Sequence, residues 1–295
     1  MPASLKLDQE TFGQAREIFD GLWVIATRHR PGLSKRVFEV NNRCLVFRLV
    51  DTTASGPCLV VVNAVDPQQA IPEVRRLERE TGLAVRYVIS PGGAHHLHMA
   101  PWHAAFERAR ILLCPVRTPK TENGRKLVGL PRVELMSLED PLPQFRGQLD
   151  AVIFHGLVGP ADGRSPAEGG PDTLLAMMST MREVMRAKTP ADELWLHHVA
   201  SGTVIAGENL AWFYPRAALK KEGFMAKQML KPDKLWVWEM PRRVADRSAV
   251  AACWRRVLSW PARTVMTFHD AVGTAGSMGD GQAALRAAVE ASGQI

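Results

Sequence analysis

Four cysteines in 295 residues, Cys44, Cys58, Cys114 and Cys253, are too few and too scattered for a disulfide framework. No two of them form a C-x-x-C pair, and three sit in apolar runs, so they are expected to be reduced and buried in a cytoplasmic protein. No window of about 18 consecutive apolar residues occurs, which excludes an obvious membrane-spanning helix. The opening Met-Pro-Ala-Ser-Leu-Lys-Leu-Asp has no basic stretch followed by an apolar one, so no signal peptide is expected. Basic residues never run together for long, and no basic stripe is interleaved with aromatics. Nucleic acid is therefore not an expected partner despite a net charge of +7. That charge favours a small anionic substrate or a weak acidic partner instead. Internal repeats and low-complexity tracts are also missing. What remains, 46% hydrophobic and 23% charged, is the composition of a globular chain, read as one domain over residues 1–295.

Histidine is scarce too, but it is not scattered. Four of the nine, His95, His96, His98 and His103, fall in the stretch Ser90-Pro-Gly-Gly-Ala-His-His-Leu-His-Met-Ala-Pro-Trp-His-Ala-Ala-Phe106. This stretch follows the apolar run Val85–Ile89, so it reads as a strand ending in a Gly-rich loop full of imidazoles. His103 stands four positions before Glu107 on the helix that follows, where an exposed pair is expected.

The periodicity predicts a helix over residues 9–20, from Phe12, Ala15, Ile18 and Phe19. Strands are predicted at Leu22–Thr27, Arg36–Val40, Arg43–Val50 and Cys58–Asn63, with Asn41-Asn42 as a turn. A helix from Asp66 to about Thr81 ends at Gly82. Residues 116–148 and 156–172 read as irregular insertions, rich in Pro and Gly. Thr173–Lys188 carries a methionine stripe and reads as a packed helix. Glu193–His197 and Gly202–Ala206 form a strand pair. The segment 210–230 is helical in parts and fits packing, a lid or a homodimer contact. Leu235–Met240 reads as a strand, Ser248–Leu258 as a helix, Arg263–Phe268 as a strand and Gln282–Ala291 as a final helix. A two-sheet sandwich with outer helices accommodates this order.

Imidazole and carboxylate together suit zinc, non-haem iron or manganese. Four strand ends carry such groups: the loop His95/His96/His98, His155, the pair His197/His198 with Glu208 beyond, and His269-Asp270. A lone histidine at a strand end is an ordinary surface residue; four such ends in one chain point to a shared site.

The loop Ser90–Trp102, the segment Leu149-Asp-Ala-Val-Ile-Phe-His-Gly156 and the segment Glu193-Leu-Trp-Leu-His-His-Val-Ala-Ser-Gly-Thr-Val-Ile-Ala-Gly-Glu208 resemble a divergent branch of the metallo-β-lactamase superfamily. The resemblance implies an α+β chain with a four-layer αββα sandwich. It puts His96 and His98 at the first two positions of the superfamily's His-x-His-x-Asp-His motif, His198 at the strand-end histidine, Glu208 at the metal-bridging Asp and His269 at the last ligand. Ala100 and Pro101 stand where that motif has Asp and His. One metal, a rearranged site drawing on His95 or His155, or a lost site all fit this departure, and Asp270 is a further candidate. The implied cofactor is zinc or iron, one or two ions. The implied activity is a metal-dependent hydrolase with Glu208 bridging or acting as general base. A non-haem iron oxygenase and a non-catalytic binding protein are the alternatives.

Overall fold

The computed structural model describes residues 6–29, 40–53, 56–96, 98–115, 127–159, 189–190, 192–207, 213–222, 230–237, 243–275 and 277–295, together with Leu210 and Lys227. Two mixed sheets pack face to face with helices outside, the αββα sandwich that the resemblance implies.

The first sheet runs in sequence order: β1 (Ala15–Phe19), β2 (Leu22–His29), β3 (Val40–Asp51), β4 (Gly56–Val62), β5 (Val85–Ser90), β6 (Arg110–Leu113) and β7 (Val133–Leu135). Pairing is antiparallel from β1 to β4 and parallel from β4 to β7. The β-branched run of β4 is buried on both faces, as a central strand requires. The second sheet is built from β8 (Leu149–Phe154), β11 (Glu193–His198), β12 (Thr203–Ala206), β14 (Thr264–Thr267) and β15 (Ser277–Met278). Its spatial order is β15-β14-β12-β11-β8, with only β12 and β14 parallel. A small third sheet joins β9 (Leu157–Gly159) to β10 (Thr189–Pro190) and β13 (Arg243–Val244).

Three apolar layers hold the sandwich. Leu45, Phe47, Val60 and Ile89 of the first sheet meet Leu194, Leu196, Ile205 and Met266 of the second. The other face of the first sheet packs on α1 (Pro67–Thr81) and α2 (Met99–Ala105) through Val61, Val88, Val74 and Trp102. The outer face of the second packs on α4 (Arg247–Val257) and α5 (Gly281–Ser292) through Val204, Val265, Trp195, Trp254 and Leu285. A short α3 (Arg216–Leu219) lies between them in sequence. The helix α1 starts where Asp66 accepts a hydrogen bond from Gln68 N at 3.0 Å, and it ends at Gly82, whose φ of 70° the absent Cβ permits.

Several local expectations are revised. Residues 15–19 are a strand, although the predicted helix covered them; the segment pairs with β2, Ala15 and Ile18 are buried in the two apolar layers on either side of the sheet, and these tertiary contacts override the helical spacing. Asn41 and Asn42 are not a turn but lie inside β3, opposite Arg28 and Thr27. The segment 210–230, expected to be helical in parts, carries α3 among the described residues. The predicted helix 173–188 and the strand 36–39 fall outside the described residues. All four cysteines are free and buried, as expected.

Candidate metal centre at one end of the sandwich

Strand register decides which predicted residues share an end of the sandwich. Antiparallel pairing puts the start of β3 beside the end of β4, and parallel pairing puts the end of β5 there as well. On the second sheet, Phe154 at the end of β8 pairs with Glu193 at the start of β11, and Ala206 at the end of β12 lies beside Thr267 at the end of β14. The two sheets are tied at this end. Leu194 N donates to Pro91 O at 2.7 Å, Arg43 N donates to Phe268 O at 2.8 Å, and Gly92 bridges to Glu193. This edge therefore carries the loop residues 91–96, Asn63, Asn41–Arg43, His155, Asp192-Glu193, Gly207 and His269.

His95 and His269, far apart in sequence, come together with ring centroids 5.6 Å apart and planes 19° from parallel. Both are buried. His269 Nδ1 lies 2.7 Å from Asn41 O, a carbonyl that can only accept, so this nitrogen carries the proton. His95 Nδ1 lies 2.8 Å from Asn63 Oδ1. The Asn63 amide is oriented by its neighbours: its Nδ2 donates to Arg43 O and to Asn42 Oδ1, each at 2.8 Å. Oxygen therefore faces the imidazole, and His95 is again the Nδ1–H tautomer. Each ring thus has its lone pair on Nε2, the form in which histidine binds a metal.

His96 is buried on the short 3-10 turn Gly93–His96, and neither of its ring nitrogens has a hydrogen-bond partner among the described residues. Burial, with His95 beside it, pushes its pKa down to about 4, so it is a neutral imidazole. His98 is the half-buried residue that precedes α2, and burial lowers its pKa against the pull of Asp66. His155 shares the site end. Its Nδ1 is 3.1 Å from Ile153 O and 3.6 Å from Cys253 Sγ.

His198 does not share this end. It closes β11, opposite Leu149 and Thr203, five residues along the extended chain from Glu193. At about 3.3 Å per residue, that is roughly 17 Å away. There its Nδ1 meets Ser201 Oγ at 2.8 Å, and its ring packs on Phe19 and Phe47. His197 points to the other face, stacked on Trp260 and 3.3 Å from Asp150. Asp270 is committed elsewhere. Its Oδ1 accepts from Phe213 N at 2.6 Å and Thr267 Oγ1 at 2.8 Å, and its Oδ2 accepts from Thr267 N at 2.7 Å and Arg43 Nη1 at 3.3 Å. Glu208 lies outside the described residues. Among the described residues, no three His, Cys, Asp or Glu side chains are arranged to hold one ion together. The edge supplies two neighbouring imidazoles of suitable donor type and tautomer, short of a complete ligand set among the described residues.

Some residues of this edge were not singled out from the sequence. Asp192 and Glu193 are buried carboxylates at the start of β11. Glu193 is crowded between two glycines: a Cβ on Gly207 would lie 2.7 Å from its Oε2, and one on Gly92 would lie 3.4 Å from its Oε1. An acidic pair directly before an apolar strand was the available signal. Asn41-Asn42 looked like turn chemistry, while Arg43 and Asn63 stood at the ends of predicted strands, and the role of all four depends on strand register.

No family model matches the chain, and no curated protein does. Solved structures do. A metallo-β-lactamase from Erythrobacter litoralis, crystallised with β-mercaptoethanol in its active site, matches with a TM-score of 0.53 at 13% identity, over 95% of this chain and 96% of that one. A mono-zinc form of a metallo-β-lactamase from Pseudomonas aeruginosa gives 0.48 at 12% identity, over 100% and 98%. This chain has the metallo-β-lactamase fold.

Proposed function

We propose that the chain is a metal-dependent hydrolase acting on a small substrate at the His95/His269 edge. One observation carries the reading: two buried imidazoles, brought together from different sheets, are both held as Nδ1–H tautomers by acceptors that leave Nε2 as the lone-pair nitrogen. His96, buried with no hydrogen-bond partner at either nitrogen among the described residues, supports it as a further donor, and His155 lies at the same end of the sandwich. Glu208 remains the carboxylate expected from sequence.

A bound zinc ion would lower the pKa of its water to about 7 and polarise a carbonyl or phosphoryl oxygen of the substrate. The chain's own part is to keep the donors neutral and aimed. Asn63 and the Asn41 carbonyl hold the two rings by their Nδ1 protons. Burial keeps His96 uncharged near neutrality. The apolar layer beneath, with Phe268 ring-packed on His95, keeps bulk water from the inner side.

Metal content of the purified protein tests the reading. Zinc bound stoichiometrically by the native chain and lost from a His95→Ala/His269→Ala variant is the expected result. A native chain that takes up no metal when grown with zinc, or a double variant with unchanged occupancy, would overturn it. Iron in place of zinc would direct the reading to an oxygenase.

A further inference from the structure

The polar groups that hold His95 and His269 belong to one connected unit. Asn41, Asn42 and Arg43 are consecutive residues at the start of β3, and each makes a different contact. The Asn41 carbonyl accepts from His269 Nδ1, and the Asn41 side chain donates through Nδ2 to Asp270 O at 2.5 Å. Asn42 Oδ1 accepts from Asn63. The Arg43 carbonyl accepts from Asn63 as well. The Arg43 side chain grips the turn that carries His269: Nη1 reaches Thr267 O at 3.2 Å, and Nη2 reaches Ala271 O at 3.0 Å and Thr274 O at 2.8 Å. Asn63 itself, directly after β4, has a φ of 67°. Asn tolerates this left-handed conformation better than most residues, and the conformation is part of how the amide reaches His95.

We propose that Asn63, aligned by Asn42 Oδ1 and the Arg43 carbonyl, is a positioning residue that sets the tautomer of His95. The same strand start sets that of His269 through the Asn41 carbonyl. Both rings thereby keep Nε2 as the nitrogen that carries the lone pair. The link to metal chemistry rests on the hydrolase reading above; the tautomer assignment does not.

An imidazole without such an acceptor prefers the Nε2–H form in water, so removing the amide should release His95 toward that form. Asn63→Gly is the informative deletion, because glycine accepts the positive φ and the backbone gains no strain. Asn63→Asp keeps an acceptor facing His95 while losing the two donations to Asn42 Oδ1 and the Arg43 carbonyl, so rescue also requires the Asn42 amide to turn its Nδ2 toward the second carboxylate oxygen. Long-range proton–nitrogen spectra of the metal-free, ¹⁵N-labelled full chain read each histidine's tautomer directly. The expected result is Nδ1–H for both rings in the native chain, loss of that form at His95 alone in Asn63→Gly, and its return in Asn63→Asp. His269 serves as the internal control that the fold is intact. His95 remaining Nδ1–H in Asn63→Gly would overturn the proposal, as would both rings changing together. Zinc competition on the same three proteins separates the two readings. Affinity is expected to drop about 10–100-fold in Asn63→Gly and to recover in Asn63→Asp. If the tautomer changes as expected but zinc binds to none of the three, the positioning role stands and the hydrolase reading fails.

Discussion

Arg43 and Asp270 form an ion pair at 3.3 Å in which neither side chain has any exposed surface. Glu10 closes the other side of the guanidinium with two hydrogen bonds at 2.7 Å. Burial works against both charges. It raises the pKa of Asp270 against the pull of Arg43, while Glu10 and then Asp270 hold Arg43 above its ordinary value despite its desolvation. Every donor of the guanidinium side chain is used, so this is a satisfied network and not a stranded charge.

Arg43→Met should therefore be costly, because it leaves Glu10 and Asp270 buried without their cation. A loss of about 3–5 kcal/mol is expected in urea unfolding. Arg146→Met removes a partner of Asp140 that is 75% exposed and should change stability by less than about 0.5 kcal/mol. Equal effects of the two changes would show that the network is not a structural anchor.

The metal-free protein should lose stability in mild acid. Burial, with a smaller push from His197, drives the pKa of His198 down to about 4, below its ordinary value of 6.5. Between these values the unfolded chain binds the proton and the folded one does not. The contribution is thus complete above about pH 6.5 and declines as pH falls toward 4. The upper bound is about 3 kcal/mol for this one group. His198→Gln should flatten the slope of unfolding free energy against pH over that window; an unchanged slope would count against burial of a neutral ring.

Gly156, next to His155, combines two demands. Its φ is 86°, and a Cβ there would lie 2.8 Å from the backbone oxygen of Asp246. Its carbonyl also accepts from Ala245 N at 2.8 Å and Asp246 N at 3.0 Å, so the turn cannot simply move away. Gly156→Ala is expected to cost about 1–3 kcal/mol, read as a lowered unfolding midpoint. Gly129→Ala, also at positive φ but with open space around it, should cost less.

Much of the sandwich was legible because single segments carry their own signals. The β-branched run Cys58–Val62 announced a central strand, and Asp66 with Gly82 bracketed α1. The site was legible only in part. Composition and strand ends singled out His95, His96, His155 and His269, which lie at one end of the sandwich, and also His198, which lies at the other; which of two ends a histidine occupies depends on the direction of its strand. His198 follows an apolar strand as plainly as His269 does. Antiparallel pairing with β12 turns it to the far end, where Phe19 and Phe47 receive it. Asn63 was hidden for a related reason, since an amide matters through what it touches, and its partners lie some 20 and 30 residues away.

That separation gives a direct test of which histidines belong together. His269→Ala and His198→Ala both delete a buried imidazole on the second sheet, so both should cost some stability. Only the first removes a ring facing His95. His198 is fixed between Ser201 and two phenylalanines at the other end of β11, and no plausible side-chain rotation spans about 17 Å. Metal occupancy at matched protein concentration is expected to collapse in His269→Ala and to stay near native in His198→Ala, once both variants are shown by far-ultraviolet circular dichroism to be folded. Loss of metal in folded His198→Ala, with retention in His269→Ala, would move the metal centre to the opposite end of the sandwich and refute the assignment made from strand register.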